Sequence, residues 1–395
     1  MQQKFNAHRL LTNGNENIAF INNLNITDTE DELLVNCRKD VRKYLREGFH
    51  QLRNSSAIKF QEFEDEIKNL KPKFWTQGSY AYKTMNNPAF NPPQQIDLDY
   101  GVYFPMALLD GKPHAVKNKL LKLVKLILTE LAESKGWGVS VKPTCLRLEV
   151  NKRVHIDIPV YAIPEEKYVM LKSAMDSRNS FAGLLSDSEI ISLEPDQVHL
   201  ARWDNDDWIK SDPMDLHDWF ISKTKVHGRQ FLRRSCRYMK AWRDNTWNKG
   251  GGPSSITLMV AVAKVFDDNL MVNKKEFSTD CEAILAIAKE LPVIFNSEIK
   301  NPIADDEIMF PRGINLSEVN AIRKKVKEFS DSVINALCIS QTEQQVVDEF
   351  MAIFGNRLPN KPEWVERYTI VEVVRNAPHV TSTASTAFKE EHRSG

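Results

Sequence analysis

The sequence predicts an α+β chain, with a mixed sheet and helices in its first half and a helical second half. Three observations predict it. Between about residues 74 and 163, runs such as IDLDYGVYF and HIDIPVYAI alternate apolar and polar positions with the period of a strand. These runs flank a segment, 115–135, whose apolar residues recur at helical spacing. After about residue 205 the helical period takes over and persists almost to the end.

Taken in order, the first element is a long helix over 27–53. Thr27 and Thr29 precede acidic residues there as an N-cap signature, and Leu33, Leu34, Cys37, Val41, Tyr44, Leu45 and Phe49 fall on one face. The alternating strands and the 115–135 helix follow. Further helices are predicted over 215–247, 253–266, 279–291 and 317–354, the last with a break near Cys338. The expected organisation is a core over 1–205, a helical domain over 206–376 and a polar, Ser/Thr-rich tail over 377–395 that is expected to be mobile.

A chain of 395 residues fits one large or two intimate domains. Hydrophobic residues at 42% and charged residues at 27% exclude a disordered chain. Lys+Arg 53 balances Asp+Glu 53, so no global field exists to hold a long nucleic acid, and anionic substrates must meet a local positive cluster. The five cysteines are scattered and form no CxxC pair, as expected of reduced thiols in a cytoplasmic protein. No membrane span is expected, because the most apolar stretch, near 120–131, carries lysines at helical spacing.

Chemistry concentrates in three segments: FWTQGSYAYKT from Phe74, NPPQQIDLDYGVYFP from Asn91, and RVHIDIPVYAIP from Arg153. Asp97 and Asp99 are two apart in a strand and therefore share a face, while Ile96 and Leu98 take the other. Asp157 sits in an apolar strand that can pair beside the first. A DxD pair alone is most often a solvated strand edge; an acid within an apolar strand needs a partner or a metal. Three clustered carboxylates call for a hard cation such as Mg²⁺, with Mn²⁺ as the alternative, and point to phosphoryl or nucleotidyl transfer. Two ions about 4 Å apart would stabilise the attacking and leaving oxygens. His155 lies on the face of Asp157 and is read as a structural residue without a role.

Around this centre, Gly78 and Ser79 end a strand at a turn into a helix, where backbone N–H groups can meet a triphosphate. Tyr82, one helical turn on, is placed to stack on a base. Arg233, Arg237 and Lys240 form a basic stripe at i, i+4 and i+7, which reads either as a phosphate contact or as a solvated face. Next comes GGGPSSI, a glycine turn that places Ser254 and Ser255 at a helix start.

The FWTQGS run, the DLD strand, the HIDIPVYAIP strand, the KAWRDNTW helix and the GGPSSI turn together resemble the bacterial cyclic GMP-AMP synthase group of the cGAS/DncV-like nucleotidyltransferases (CD-NTases). The resemblance runs from the first long helix to FGNR at 354–357. It implies a polymerase-β-type nucleotidyltransferase core joined to a helical domain, with the active site in the cleft between them. It also implies that ATP and GTP are joined in two steps, each releasing pyrophosphate, to give 3′,3′-cyclic GMP-AMP without a DNA template. By the resemblance Asp97, Asp99 and Asp157 are the catalytic metal ligands. Ser79 contacts donor phosphates with Gln77 and Gly78 beside it, Tyr82 stacks on a base, and Arg147, Lys240 and Ser255 contact nucleotide. Ser211 and Asp212 read base edges, as does Asp306, with Asp305 as the alternative. The family acts in anti-phage signalling (CBASS), where the product activates an effector. Relatives are attached through their C-terminal residue, here Gly395, by a ubiquitin-like E1/E2 pathway. Two other outcomes stay open at this point: a template-independent enzyme making another cyclic or linear oligonucleotide, and a catalytically silent nucleotide sensor.

Overall fold

The computed structural model describes residues 2–14, 18–54, 70–105, 113–163, 168, 198–205 and 208–368. Gly395 and the rest of the expected tail lie outside the described residues. In chain order the elements begin with β1 (Phe5–Asn6), α1 (His8–Leu11), α2 (Phe20–Asn23) and α3 (Asp28–Asn54). Then come β2 (Lys73–Thr76), α4 (Gly78–Ala81), β3 (Ile96–Pro105), α5 (Pro113–Lys135), β4 (Gly138–Val141), β5 (Leu146–Glu149), β6 (Val154–Ile158) and β7 (Val160–Ile163). A hairpin of β8 (His199–Ala201) and β9 (Trp208–Lys210) leads into α6 (Pro213–Val226), α7 (Arg229–Thr246), α8 (Ser255–Asn273) and α9 (Asp280–Asn296). The described chain finishes with β10 (Ile299–Asn301), β11 (Ala304–Phe310), α10 (Leu316–Ile334), α11 (Glu343–Phe354) and β12 (Glu366–Arg367).

The main sheet has eight strands and is mixed, as alternation and an intervening helix require. Its axis is β3, which runs parallel to β6 and β7 on one edge and antiparallel to β2 on the other. Ile96 faces Val154 and Val102 faces Val160, so β6 and β7 continue one line with a break at Pro159, which has no N–H to donate to the ladder. The face opposite the carboxylates carries Ile96, Leu98, Ile156 and Ile158, all buried, and α3 and α5 cover this core with Leu34, Val41, Leu45, Leu123, Val124 and Leu128. β9 pairs with β8, so the sheet runs past the 205/206 boundary expected from the sequence, to Lys210.

The helical layer holds the larger core, and it takes in the start of the chain: Phe5, Leu10, Leu11, Phe20 and Leu24 are buried there among α7, α8, α9 and α11. Two short strands, β1 and β12, seal this arrangement, with Phe5 opposite Arg367. Residues 5–24 thus pack with the second half of the chain, although sequence order assigns them to the first. The helix expected over 215–247 is two helices, because Gly228 takes φ +65 after the C-cap His227 and α7 starts afresh. The break expected near Cys338 is a π-helical turn over Asn335–Ile339, followed by a capping box at Thr342 that restarts α11.

Candidate active site

Strand register assembles the centre. Asp97 lies opposite His155 and Asp99 opposite Asp157 across the β3–β6 pair, and Arg147 on β5 lies opposite Asp157 from the other side. All five polar side chains therefore emerge on one face of three adjacent strands. Arg147 grips Asp157 with two hydrogen bonds, Nε to Oδ1 at 2.7 Å and Nη2 to Oδ2 at 2.8 Å, a fork that fixes the carboxylate's orientation. The same bonds push the Arg147 guanidinium's pKa up. Asp99 has no such partner. Burial first, and then the charges of Asp97 and Asp157, push its carboxyl well above the usual carboxylate range, so its ionised form is disfavoured without a cation beside it.

The glycine of the turn is fixed by this cluster. Gly78 has φ +62, and a Cβ on it would collide with Asp99 Oδ2, so the first residue of α4 must be glycine for the backbone to lie against the carboxylate. Gln77 stands behind it, 7% exposed, donating through Nε2 to the Tyr103 hydroxyl and accepting from the Tyr161 hydroxyl at 3.3 Å. A Cβ at Gly101 would occupy the Gln77 amide's place. Gln77 therefore anchors the turn from beneath, while Ser79 sits at the cleft surface.

Opposite the sheet, α7 and α8 supply the second wall. Lys240 is buried and donates to the Thr84 carbonyl at 2.7 Å, and burial, then the Arg243 charge, bring its pKa down to about 8. Arg243 donates to Ser255 Oγ at 2.6 Å and pairs with Asp244 at 2.8 Å. Ser254 caps α8 by accepting from Thr257 N at 3.1 Å. Between the walls lies a cleft of about 580 Å³, lined by Gln77, Gly78, Ser79, Tyr82, Asp97, Asp99, Arg147, Lys240 and Ser255 among the residues expected from the sequence. Asp157 stands just behind Arg147.

Other expectations fall elsewhere. Asp212 is the N-cap of α6, its Oδ1 accepting from Met214 N at 2.9 Å and Asp215 N at 3.3 Å, and neither it nor Ser211 lines the cleft. Both belong to the joint between β9 and α6. Asp306 is exposed on β11, away from the cleft. Of the basic stripe, only Lys240 reaches the cleft; Arg237 turns to Asn86 Oδ1 at 2.9 Å, which ties the loop before β3 to α7. Tyr82 is a packed ring rather than a free platform, with His217 stacked at 5.8 Å, Phe220 edge-on at 5.4 Å and 5% of the residue exposed.

Several lining residues received no assignment from the sequence, among them Arg243, Gln94 and His155. Arg243 follows Lys240 by three positions and so shares its face, a signal that was present in KAWR. Gln94 crosses to the carbonyl of Asp244 at 2.7 Å and has no sequence signature. His155, assigned no role above, is buried with its Nε2 2.9 Å from Asp97 Oδ1. Ligand atoms of Asp97, His155 and Asp157 all lie within 4.8 Å of one another. The donor set, rich in carboxylate oxygen and short of positive charge, fits a divalent cation.

Comparison with known proteins places this geometry. Residues 72–161 match the family described as "Cyclic GMP-AMP synthase DncV-like, nucleotidyltransferase domain", and residues 228–367 match "Cyclic GMP-AMP synthase, C-terminal domain". The chain is 30% identical to a cyclic GMP-AMP synthase of Vibrio cholerae serotype O1 over 99% of its own length and 98% of the relative's. It is 35% identical to a cyclic GMP-AMP synthase of Escherichia coli, over 76% of this chain and 72% of that one. Among solved structures, the Vibrio cholerae DncV cyclic AMP-GMP synthase bound to the linear intermediate pppA(3′,5′)pG superposes with a TM-score of 0.77 at 30% identity, covering 93% of this chain and all of that one (100%). The same protein with GTP and 5MTHFGLU2 gives 0.77 at 29% identity.

Proposed function

This chain belongs to the DncV-like cyclic GMP-AMP synthase family and is a nucleotidyltransferase, and on that premise we propose that it joins ATP and GTP into 3′,3′-cyclic GMP-AMP. The observation that carries the reading is the cleft itself: one wall gathers Asp97, Asp99 and Asp157 from adjacent strands, and the facing wall presents Lys240, Arg243 and Ser255. An anionic triphosphate fits between an acidic wall that needs cations and a basic wall that needs anions.

Each residue then has a task that its geometry supports. Asp97, Asp99 and Asp157 would hold the divalent cations, Mg²⁺ first and Mn²⁺ as the alternative, whose chemistry is to lower the pKa of the attacking hydroxyl and to screen the phosphates. Gly78 lies against the Asp99 side chain and Ser79 lines the cleft beside it, so the donor phosphates would lie beside the carboxylates. Lys240 and Arg243 would grip phosphate from the far wall; among the described residues the Lys240 ammonium donates to the Thr84 carbonyl, a neutral partner that a phosphate can replace. Tyr82, packed against His217 and Phe220, would offer a base no more than the edge it shows to the cleft. Arg147 holds the Asp157 carboxylate in its orientation.

The same reading carries the family's biology: a second messenger for anti-phage signalling, an effector that receives it, and conjugation through Gly395 by E1/E2-type enzymes. Cytoplasmic placement goes with it; among the described residues no helix is long and apolar enough to cross a membrane. The deciding experiment incubates the full chain with Mg²⁺ and all four labelled NTPs, treats the mixture with phosphatase and identifies the resistant product by mass and nuclease digestion. One G and one A in a phosphatase-resistant ring supports the reading. Another cyclic or linear product would keep the chemistry and overturn the choice of bases, and no product under any activating condition would leave a silent sensor.

A further inference from the structure

The loop between α4 and β3 joins the two walls of the cleft, and its bonds lead to a residue far down the chain. The Thr84 carbonyl accepts from Lys240 at 2.7 Å. Asn86, buried and lining the cleft, exchanges two bonds with Arg237: its Oδ1 accepts from Nε at 2.9 Å and its Nδ2 donates to the Arg237 carbonyl at 2.9 Å. Asn87 is bonded in three directions. Its N–H donates to the Leu24 carbonyl at 2.8 Å, its Oδ1 accepts from Arg153 Nη2 at 2.9 Å just before β6, and its carbonyl accepts from Arg357 Nη1 at 2.9 Å. Arg357 Nη2 donates in turn to the carbonyl of Ala241, the residue after Lys240, at 2.9 Å. One guanidinium thus bridges the loop and α7, with Asn87 tied through its side chain to the sheet.

Local chemistry delivers Arg357 to this joint. In FGNR, Gly355 ends α11 at φ +71, where a Cβ would collide with Asn245 Oδ1, while Asn245 Nδ2 donates to the Ile353 carbonyl at 3.0 Å. The turn over Gly355–Arg357 follows, and the Arg357 carbonyl accepts from Asn23 Nδ2 at 2.7 Å. Both acceptors of the guanidinium are neutral carbonyls. Burial pulls its pKa down, and the Asp244 charge offsets this only in part, so a cation stands here for its geometry rather than for an ion pair.

We propose that Arg357 is a positioning residue for the basic wall: by bridging the Asn87 and Ala241 carbonyls it keeps the loop and α7 in register when Lys240 exchanges the Thr84 carbonyl for a phosphate. This role rests on the reading of Lys240 as a phosphate contact. Of the three cations that fasten the loop, Lys240 lines the cleft and Arg237 and Arg357 do not. A phosphate that draws Lys240 away undoes one tie, and the other two keep the wall from opening behind it.

The test compares the full chain with its Arg357→Lys variant, which keeps the charge but ends in one nitrogen set short of the guanidinium's two. Without substrate, amide hydrogen exchange should quicken at least about fivefold over residues 84–87 and hold over α9 and α10. With Mg²⁺, ATP and GTP, pyrophosphate release should lose about tenfold in kcat/KM, carried by KM, but no more than about twofold when Lys240→Met is already present. If exchange over 84–87 is unchanged, or quickens equally in α9 and α10, Arg357 does not hold this joint in particular and the proposal falls. It falls too if the losses multiply in the double variant, since Arg357 then acts apart from Lys240. If Lys240→Met alone leaves kcat/KM unchanged, the reading of the basic wall falls with it.

Discussion

The two walls of the cleft are charged by opposite means. The acidic wall is made by strand register: Asp97, Asp99, His155 and Asp157 converge because parallel neighbours on one sheet face cannot avoid one another. The basic wall is made by helix burial: Lys240 is placed by a helix packed on both sides, and Arg243 by its bond to the first residue of the next helix. Burial therefore works in opposite directions, raising the Asp99 carboxyl and lowering the Lys240 ammonium. Each wall holds charge that its own surroundings disfavour, and each is relieved by the ligand of the other sign. This is how a chain of zero net charge builds a site for a highly charged substrate.

Breaking the acidic wall should have the largest effect. Asp97→Asn or Asp99→Asn should lower kcat by at least about 10³-fold, measured as pyrophosphate release, while the melting temperature holds or rises because a repulsive charge has gone. If turnover survives, the assignment of the centre is wrong. Next is the hinge between wall and substrate: Gly78→Ala must displace the Asp99 side chain and strain the turn, and a loss of about 10²-fold in kcat is expected with a fold unchanged by circular dichroism.

The basic wall should yield less. Lys240→Met should reduce kcat/KM about 10- to 100-fold, the worth of one charge-assisted hydrogen bond to phosphate, with the loss growing as salt is lowered. The comparison sharpens with pH. Since the Lys240 pKa is brought down to about 8 in the folded chain from 10.5, its phosphate contact should fade as pH rises through 8. Stability should move the other way. Between about 8 and 10.5 the unfolded chain binds the extra proton, so this group's contribution to unfolding free energy rises across that window, and the penalty is fully present below 8. Opposed slopes of kcat/KM and denaturant midpoint, both flattened in Lys240→Met, are the expected result; parallel slopes would exclude Lys240 as their source. Smallest of all, Asp306→Ala should change kcat/KM by less than about twofold, as for an exposed residue outside the cleft.

Much of this site was legible in the chain itself. Alternation in DLD places Asp97 and Asp99 on one strand face without any structure, while Asp157 was readable only as an acid in a strand able to pair beside them. The turn at Gly78 and the capped start of α8 were equally readable, because glycine at positive φ and serine at a helix start act locally. Ser211, Asp212 and Asp306 were harder: an acid before a Pro-headed helix reads the same whether it caps or contacts a base, and only the fold shows that Asp212 caps α6.

What the sequence determined alone is therefore the set of elements and the faces their side chains take, all fixed by forces that act within a few residues. Only the tertiary structure decided the rest. It set Lys240 rather than Arg237 toward the cleft, packed residues 5–24 into the helical core, and brought Gln95, His155 and Asp97 into one line. Those outcomes depend on which distant surfaces bury one another, and burial between elements far apart in the chain leaves no period to read.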